Sequence, residues 1–150
     1  MPRILSKEDV EKIIAHAPNL KHQTFICLLY GTVIRLGEAL NIKIIDIDSK
    51  RQQLLIAKGK GAKDRYVDIP ECLLLMLRHY YVHYQPVNYL FNGKFSGEQL
   101  AAHSAQHLIK VATKRAGIQK KVSPHTFRHC YATHHLENGS SLVYLQQQMG

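Results

Sequence analysis

The sequence predicts a mainly helical α+β chain with one small antiparallel sheet that carries a basic β-hairpin. Three observations lead there. Apolar residues recur at helical spacing in most of the chain, beginning with Val10, Ile13, Ile14 and Ala17. Alternating or β-branched runs are confined to residues 42–69, where polar and glycine-rich turns interrupt them. Finally, 150 residues at 45% hydrophobic and 21% charged can build one core of ordinary size, which leaves little room for a second domain.

Ser6 and Asp9 have the spacing of a capping box, so the first helix starts there and runs to about His16, where Pro18-Asn19 stops it. From Leu20 to Tyr30 the apolar residues crowd every side, which predicts a buried helix closed by Gly31. A short helix over residues 38–41 follows. Residues 42–47 and 53–57 read as strands around the polar Asp48-Ser49-Lys50-Arg51 turn, and residues 58–65 form a glycine-punctuated basic turn before a strand over 66–69. Residues 71–83 predict a strong helix. Ser96 is the expected cap of a long helix reaching Ala116, with Gly117 beyond its end. Ser123-Pro124 opens a helix through Leu136, Asn138-Gly139 ends it, and Ser140 is the expected cap of the last one.

Lys and Arg number 20 against 11 Asp and Glu, a net charge of +9, and a nucleic acid is the polyanion that such a balance suggests. A basic protein with no such partner has the same composition, so the motifs must decide. No apolar run approaches the roughly 18 residues of a membrane span, and the N-terminus lacks the apolar stretch of a secretory signal, so a cytoplasmic location without a membrane partner is expected. The three cysteines, Cys27, Cys72 and Cys130, are odd in number and far apart, which disfavours a disulfide framework or a zinc knuckle.

Four basic elements fall where the backbone pattern makes them rigid or exposed. Arg35 follows the buried helix, three residues before Glu38, a carboxylate able to orient a guanidinium fork. Lys60 sits in the basic turn. His125 and Arg128 are one helical turn apart at the positive end of a helix. Singly, each has an ordinary explanation: a surface ion pair, a solvated loop, a capping histidine. Lys110, Lys114, Arg115, Lys120 and Lys121 likewise form either a solvated face or a phosphate-tracking stripe.

Taken in order, the segments Leu29-Tyr30-Gly31-Thr32-Val33-Ile34-Arg35-Leu36-Gly37-Glu38-Ala39-Leu40, Gly59-Lys60-Gly61-Ala62-Lys63-Asp64-Arg65 and Ser123-Pro124-His125-Thr126-Phe127-Arg128-His129-Cys130-Tyr131-Ala132-Thr133 resemble the tyrosine recombinases, or phage-integrase family, in their catalytic domain. The resemblance extends from about Leu5 onward and implies that family's catalytic-domain fold. It also implies site roles: Arg35 as the first active-site arginine, Lys60 as the hairpin lysine, His125 and Arg128 as the H-x-x-R pair, and Glu38 as the acid that orients Arg35. Lys58, Lys60, Lys63, Arg65, Lys120 and Lys121 are the expected DNA contacts.

The family's reaction opens a DNA strand through a 3′-phosphotyrosine and reseals it by the reverse attack, with no cofactor and no metal. The implied partners are double-stranded DNA and, for a full-length protein, further copies in a tetrameric synapse; on DNA, the location would be the bacterial nucleoid. The resemblance puts the nucleophilic tyrosine after the Leu145-Gln146-Gln147-Gln148-Met149-Gly150 segment, so it is absent from these residues. Tyr131 and Tyr144 come too soon after Arg128 and are expected to be packing residues. The chain is therefore expected to be a single catalytic domain over residues 1–150, truncated at its C-terminus, without the family's N-terminal core-binding domain, and inactive alone. Two other readings remain. One is a non-catalytic DNA-binding module from a truncated recombinase. The other is a metal-dependent nuclease using the i, i+4 pairs His79/His83 and His103/His107, which the scattered acids disfavour.

Overall fold

A computed structural model of the chain describes residues 5–57 and 64–149. Seven helices enclose a three-stranded antiparallel meander: α1 Lys7–His16, α2 Leu20–Thr32, α3 Leu36–Asn41, β1 Ile47–Asp48, β2 Gln53–Ile56, β3 Arg65–Asp68, α4 Glu71–Tyr84, α5 Ala102–Arg115, α6 Pro124–Glu137 and α7 Leu142–Met149. The register pairs Ile47 with Leu54 and, across the other edge, Ile56 with Arg65 and Gln53 with Asp68. The basic hairpin tip predicted over residues 58–65 lies, up to Lys63, outside the described residues.

α2 is the axis of the fold. It is buried on several faces through Phe25, Ile26, Leu28 and Leu29, and it packs against α1, α3, α4, α5 and α6. Its buried hydroxyls stay within the helix: Thr24 Oγ1 donates to Leu20 O at 2.7 Å and Thr32 Oγ1 to Leu28 O at 2.6 Å. Phe25 meets Phe91 edge to face at 5.0 Å, and Tyr80 of α4 closes the layer by donating its hydroxyl to Leu90 O at 2.8 Å.

Four expectations need correction. Gly31 does not end α2. The helix continues to Thr32 and ends at Val33, which takes the left-handed conformation at φ 52°. Gly31 is small for another reason: a Cβ there would lie 3.1 Å from Leu73 Cδ2, where α4 crosses. Residues 42–47 are not one strand, because Asp46 Oδ2 accepts from Lys43 N at 2.9 Å and folds Ile44–Asp46 into a 3₁₀ turn; Lys43 forms an isolated bridge with Tyr89, and the strand that pairs with β2 is Ile47–Asp48. α5 starts at Ala102 rather than after Ser96. Asn92 organises the preceding loop, its amide bonding Val87 N at 2.8 Å, Val87 O at 2.9 Å, Tyr89 O at 3.2 Å and Glu98 O at 3.3 Å. The cap of α7 is Ser141, whose Oγ accepts from Tyr144 N at 3.0 Å, because Ser140 N is used to close α6 on His135 O.

Gly117 and Gly139 behave as the sequence predicts. Both take positive φ and terminate α5 and α6 with paired backbone bonds to the last-turn carbonyls.

The N-terminal segment is tied to α6 by one buried histidine. His134 Nε2 lies 3.0 Å from Leu5 O, and Nδ1 lies 2.6 Å from the Tyr30 hydroxyl. A carbonyl can only accept, so Nε2 carries a proton, and in the neutral ring Nδ1 accepts from Tyr30. The ring thus joins α2, α6 and the residues before α1. Tyr30→Phe preserves the ring packing and leaves Nδ1 without its donor, which is expected to cost about 1–2 kcal/mol. A lower urea midpoint at unchanged slope is the expected readout; an unchanged midpoint would show that this bond does not hold the N-terminal segment.

Candidate active site

The turn after α2 builds the site. With Val33 in the left-handed region, the chain reverses, and Arg35 becomes the N-cap residue of α3 with extended φ and ψ of −81° and 157°. Glu38, expected to orient the Arg35 guanidinium, holds its main chain instead: Oε1 accepts from Arg35 N at 2.9 Å. The carboxylate's other contacts go to Arg65, whose Nη1 donates to Oε2 at 2.7 Å and Nη2 to Oε1 at 2.9 Å. The Arg35 side chain is exposed.

α6 supplies the second wall. Pro124 occupies its first turn, where a missing N–H costs nothing, and Ser123 N donates to Thr126 Oγ1 at 3.0 Å. His125 is thereby exposed at the positive end of the helix, and Arg128 lies one turn further in. Arg128 is half-buried and anchored on main-chain carbonyls, with Nε donating to Val33 O at 3.3 Å and Nη2 to Met149 O at 3.1 Å. Arg35, His125 and Arg128 line one cavity of about 250 Å³, together with Gln106 of α5 and Ser123. The residues matched to the first arginine and the H-x-x-R pair, 90 positions apart in sequence between Arg35 and His125, therefore meet at one place.

The charges there are unbalanced. Burial pulls the Arg128 guanidinium below its ordinary value, as do the neighbouring Arg35 and Arg65, while Glu38 acts in the opposite sense. For Glu38, burial alone pushes the carboxyl upward. The hydrogen bonds from Arg65 and the Arg35 main chain, with the charges of both arginines, outweigh this and hold it below the usual glutamate range. Three arginines and one carboxylate leave a site suited to an anion with oxygens for several donors.

Of the other expected DNA contacts, Lys58, Lys60 and Lys63 lie outside the described residues. Arg65 is turned inward: besides its fork on Glu38, Nε donates to Gln148 O at 3.1 Å, so all three guanidinium nitrogens are engaged within the fold. Lys120 is paired with Asp9, Nζ to Oδ2 at 3.2 Å. Lys121 is exposed, and with Lys110 and Lys114 it lines a groove of about 550 Å³ that shares Gln106 and Ser123 with the arginine cavity. Gln106, Gln148 and the carbonyls of Val33 and Met149 are contributors that the motifs did not single out. Gln106 alone carried a sequence signal, at the i, i+4, i+8 spacing with Lys110 and Lys114.

Tyr131 and Tyr144 both make contacts within the fold. Tyr131 is buried and stacked on His135 at 4.0 Å, and Tyr144 donates its hydroxyl to Asp68 Oδ2 at 2.8 Å. Burial and the acceptor carboxylate both push the Tyr144 phenol upward, away from ionisation. His83 Nδ1 donates to His79 O at 2.9 Å, and among the described residues no three His, Cys, Asp or Glu side chains gather as a metal site. No helix among them is long and apolar enough to cross a membrane.

The model of the phage integrase family matches residues 3–150. The chain belongs to that family. Among family members, a tyrosine recombinase named XerA from Pyrococcus furiosus is 34% identical over 155 residues, covering all of this chain and 54% of the relative. A putative integrase/recombinase, y4qK, from Sinorhizobium fredii is 33% identical over 150 residues, covering all of this chain and 49% of the relative. The chain thus spans about half the length of these curated relatives. The crystal structure of a XerA recombinase superposes with a TM-score of 0.92 at 32% identity, over 99% of this chain and 55% of that one. A XerH recombinase bound to its difH substrate in a pre-cleavage complex superposes at 0.83 and 25% identity, over all of this chain and 47% of that one. The predicted helical fold with a small antiparallel sheet is that of the integrase-family catalytic domain.

Glu38 links this site to pH. Its carboxyl titrates lower in the folded chain than in the unfolded one. Its stabilisation is therefore complete above the ordinary glutamate pKa of about 4.3 and is lost as the pH falls through the lowered folded value. Wild type is expected to exceed Glu38→Gln in urea stability at neutral pH, and the gap is expected to narrow in acid, below the ordinary glutamate range. An equal gap at neutral and acidic pH would show that the carboxylate charge is not what matters.

Proposed function

We propose that this chain is the catalytic region of a site-specific DNA recombinase or integrase that cuts and rejoins duplex DNA through a 3′-phosphotyrosine. The observation that carries the reading is the single cavity shared by Arg35, His125 and Arg128 at the N-terminus of α6. A phosphodiester under attack concentrates negative charge on its non-bridging oxygens. Guanidinium groups directed at those oxygens stabilise that state more than the ground state. Arg35 reaches it from the cap of α3 and Arg128 from α6, held by two carbonyls that only accept.

In this reading His125 takes the tyrosine proton or hydrogen-bonds the phosphate, and Lys60 donates a proton to the departing 5′-oxygen. The cationic set supplies the charge that a metal would otherwise bring, and the phosphotyrosine bond retains the energy needed for resealing. Lys58, Lys63 and Lys121 contribute phosphate contacts around the site. Support for a DNA partner comes from the relatives: the XerH complex holds its difH substrate, and a lambda integrase dimer of the same fold is bound to a core site. A tetrameric synapse belongs to this reading for the full-length protein, as does action at the nucleoid. The attacking tyrosine would follow the Leu145–Gly150 segment. Tyr144, tied to Asp68, favours the further proposal that residues 1–150 alone bind DNA without cutting it.

Two measurements test this. Binding to labelled duplex should weaken steeply with salt, by a logarithmic slope of about 0.9 per phosphate contacted, and Arg35→Ala and Arg128→Ala should each lower that slope by about 1. Arg128→Ala should also lower the thermal midpoint, because it strands Val33 O and Met149 O, whereas Arg35→Ala should not. Salt-independent binding would overturn the DNA reading. On a nicked suicide substrate, residues 1–150 should form no covalent adduct. Adding the tyrosine-bearing segment should produce one that Arg128→Ala removes; an adduct from the 150 residues themselves would place the nucleophile among them.

A further inference from the structure

The Arg65 ion pair differs from an ordinary surface pair. The side chains of Arg65 and Glu38 are only 17% and 23% exposed, and their fork is bidentate at 2.7 and 2.9 Å. Glu38 Oε1 meanwhile caps Arg35 N, so the carboxylate sits at the root of the arginine whose side chain enters the cavity. A half-buried carboxylate needs cationic partners. Three guanidinium groups lie within its electrostatic reach, those of Arg35, Arg65 and Arg128. Only one of them is bonded to it.

We propose that Arg65 is a positioning residue that keeps Glu38 engaged, so that this carboxylate braces the Arg35 main chain without neutralising the Arg35–Arg128 anion site. The geometry fits this division of labour. Arg65 belongs to β3 and reaches Glu38 with both terminal nitrogens, while Nε on Gln148 O and the bond from Asp68 N to Gln148 Oε1 at 2.8 Å lock the same strand to α7. The guanidinium therefore cannot swing toward the cavity to serve an anion itself. Without it, the guanidinium groups left within electrostatic reach of Glu38, among the described residues, are the two that line the cavity. The inference rests on the reading of that cavity as a phosphate site.

The test is a charge-controlled double substitution. Anion binding is followed with inorganic phosphate by NMR and with a short labelled duplex at low salt, for wild type, Arg65→Met, Arg65→Met/Glu38→Gln and Arg65→Met/Glu137→Gln. The last two have the net charge of wild type, and Glu137 is exposed at the far end of α6, about 14 Å along the helix from Arg128. Arg65→Met is expected to weaken phosphate binding by roughly fivefold or more, a coupling ordinary for charges in one network. Glu38→Gln should restore most of that loss, and Glu137→Gln should not.

Equal restoration by both would reduce the effect to net charge and overturn the proposal. Restoration by neither would make Arg65 an anion ligand or a purely structural brace, which also overturns it. If wild type binds phosphate but not duplex, the DNA reading fails while the phosphate comparison still decides this one; if it binds neither, both fall. Should Arg65→Met not fold, Arg65→Lys and Arg65→Lys/Glu38→Gln replace it. Lysine cannot form the fork and frees one carboxylate oxygen, so the second variant must bind phosphate more tightly than the first.

Discussion

The left-handed turn at Val33 is the constraint from which the site follows. A β-branched residue at φ 52° carries strain of about 1–3 kcal/mol, which persists only where the surroundings dictate it. Here they do. The Val33 side chain is fully buried with Tyr131 of α6 and Leu145 of α7, its carbonyl receives Arg128, and the turn delivers Arg35 to the cap of α3. One residue thereby ends the central helix, aims one arginine and anchors another. Glycine would adopt the turn with less strain, but it would leave the cluster beneath α7 without its centre.

Beside that turn the fold uses backbone carbonyls rather than a carboxylate to hold Arg128. Arg128 is restrained by Val33 O and Met149 O, and the single acid of the cluster is matched to Arg65. A carbonyl fixes a guanidinium's direction and leaves its full charge in place. A carboxylate in the same position would have fixed the direction and cancelled the charge. This is how Arg128 can be in place before an anion arrives, the condition under which electrostatic stabilisation needs little reorganisation.

Much of this was legible in the sequence, for identifiable reasons. The helices with clear boundary signals, Ser6 before α1, Pro70 before α4 and Ser123-Pro124 at α6, were bounded to within a residue or two, and the glycines after α5 and α6 announced the ends of those helices. That Arg35, His125 and Arg128 belong together was legible through their motifs, and they line one cavity. What escaped were effects of tertiary distance. Gly31 looked like a terminator because nothing in the sequence shows Leu73 crossing above it, and residues 42–47 looked like a strand because β-branched composition conceals the local pull of Asp46 on its own turn. The partners of Arg65 and Lys120 were hidden because a basic residue in a basic segment gives no sign of the distant acid it meets, 27 and 111 positions away.

The close crossing at Gly31 has a mechanical side. α2 and α4 touch there with no room for a methyl group unless Leu73 yields, and α4 follows β3 after only Ile69 and Pro70. Any side chain wedged into that crossing would act as a lever, with the short Ile69-Pro70 link carrying the displacement into the strand that bears Arg65. The fit between two apolar helix faces is thus also an alignment gauge for the charges that Arg65 brings together. An engineer seeking to detune this site without touching a charged residue would begin at the crossing.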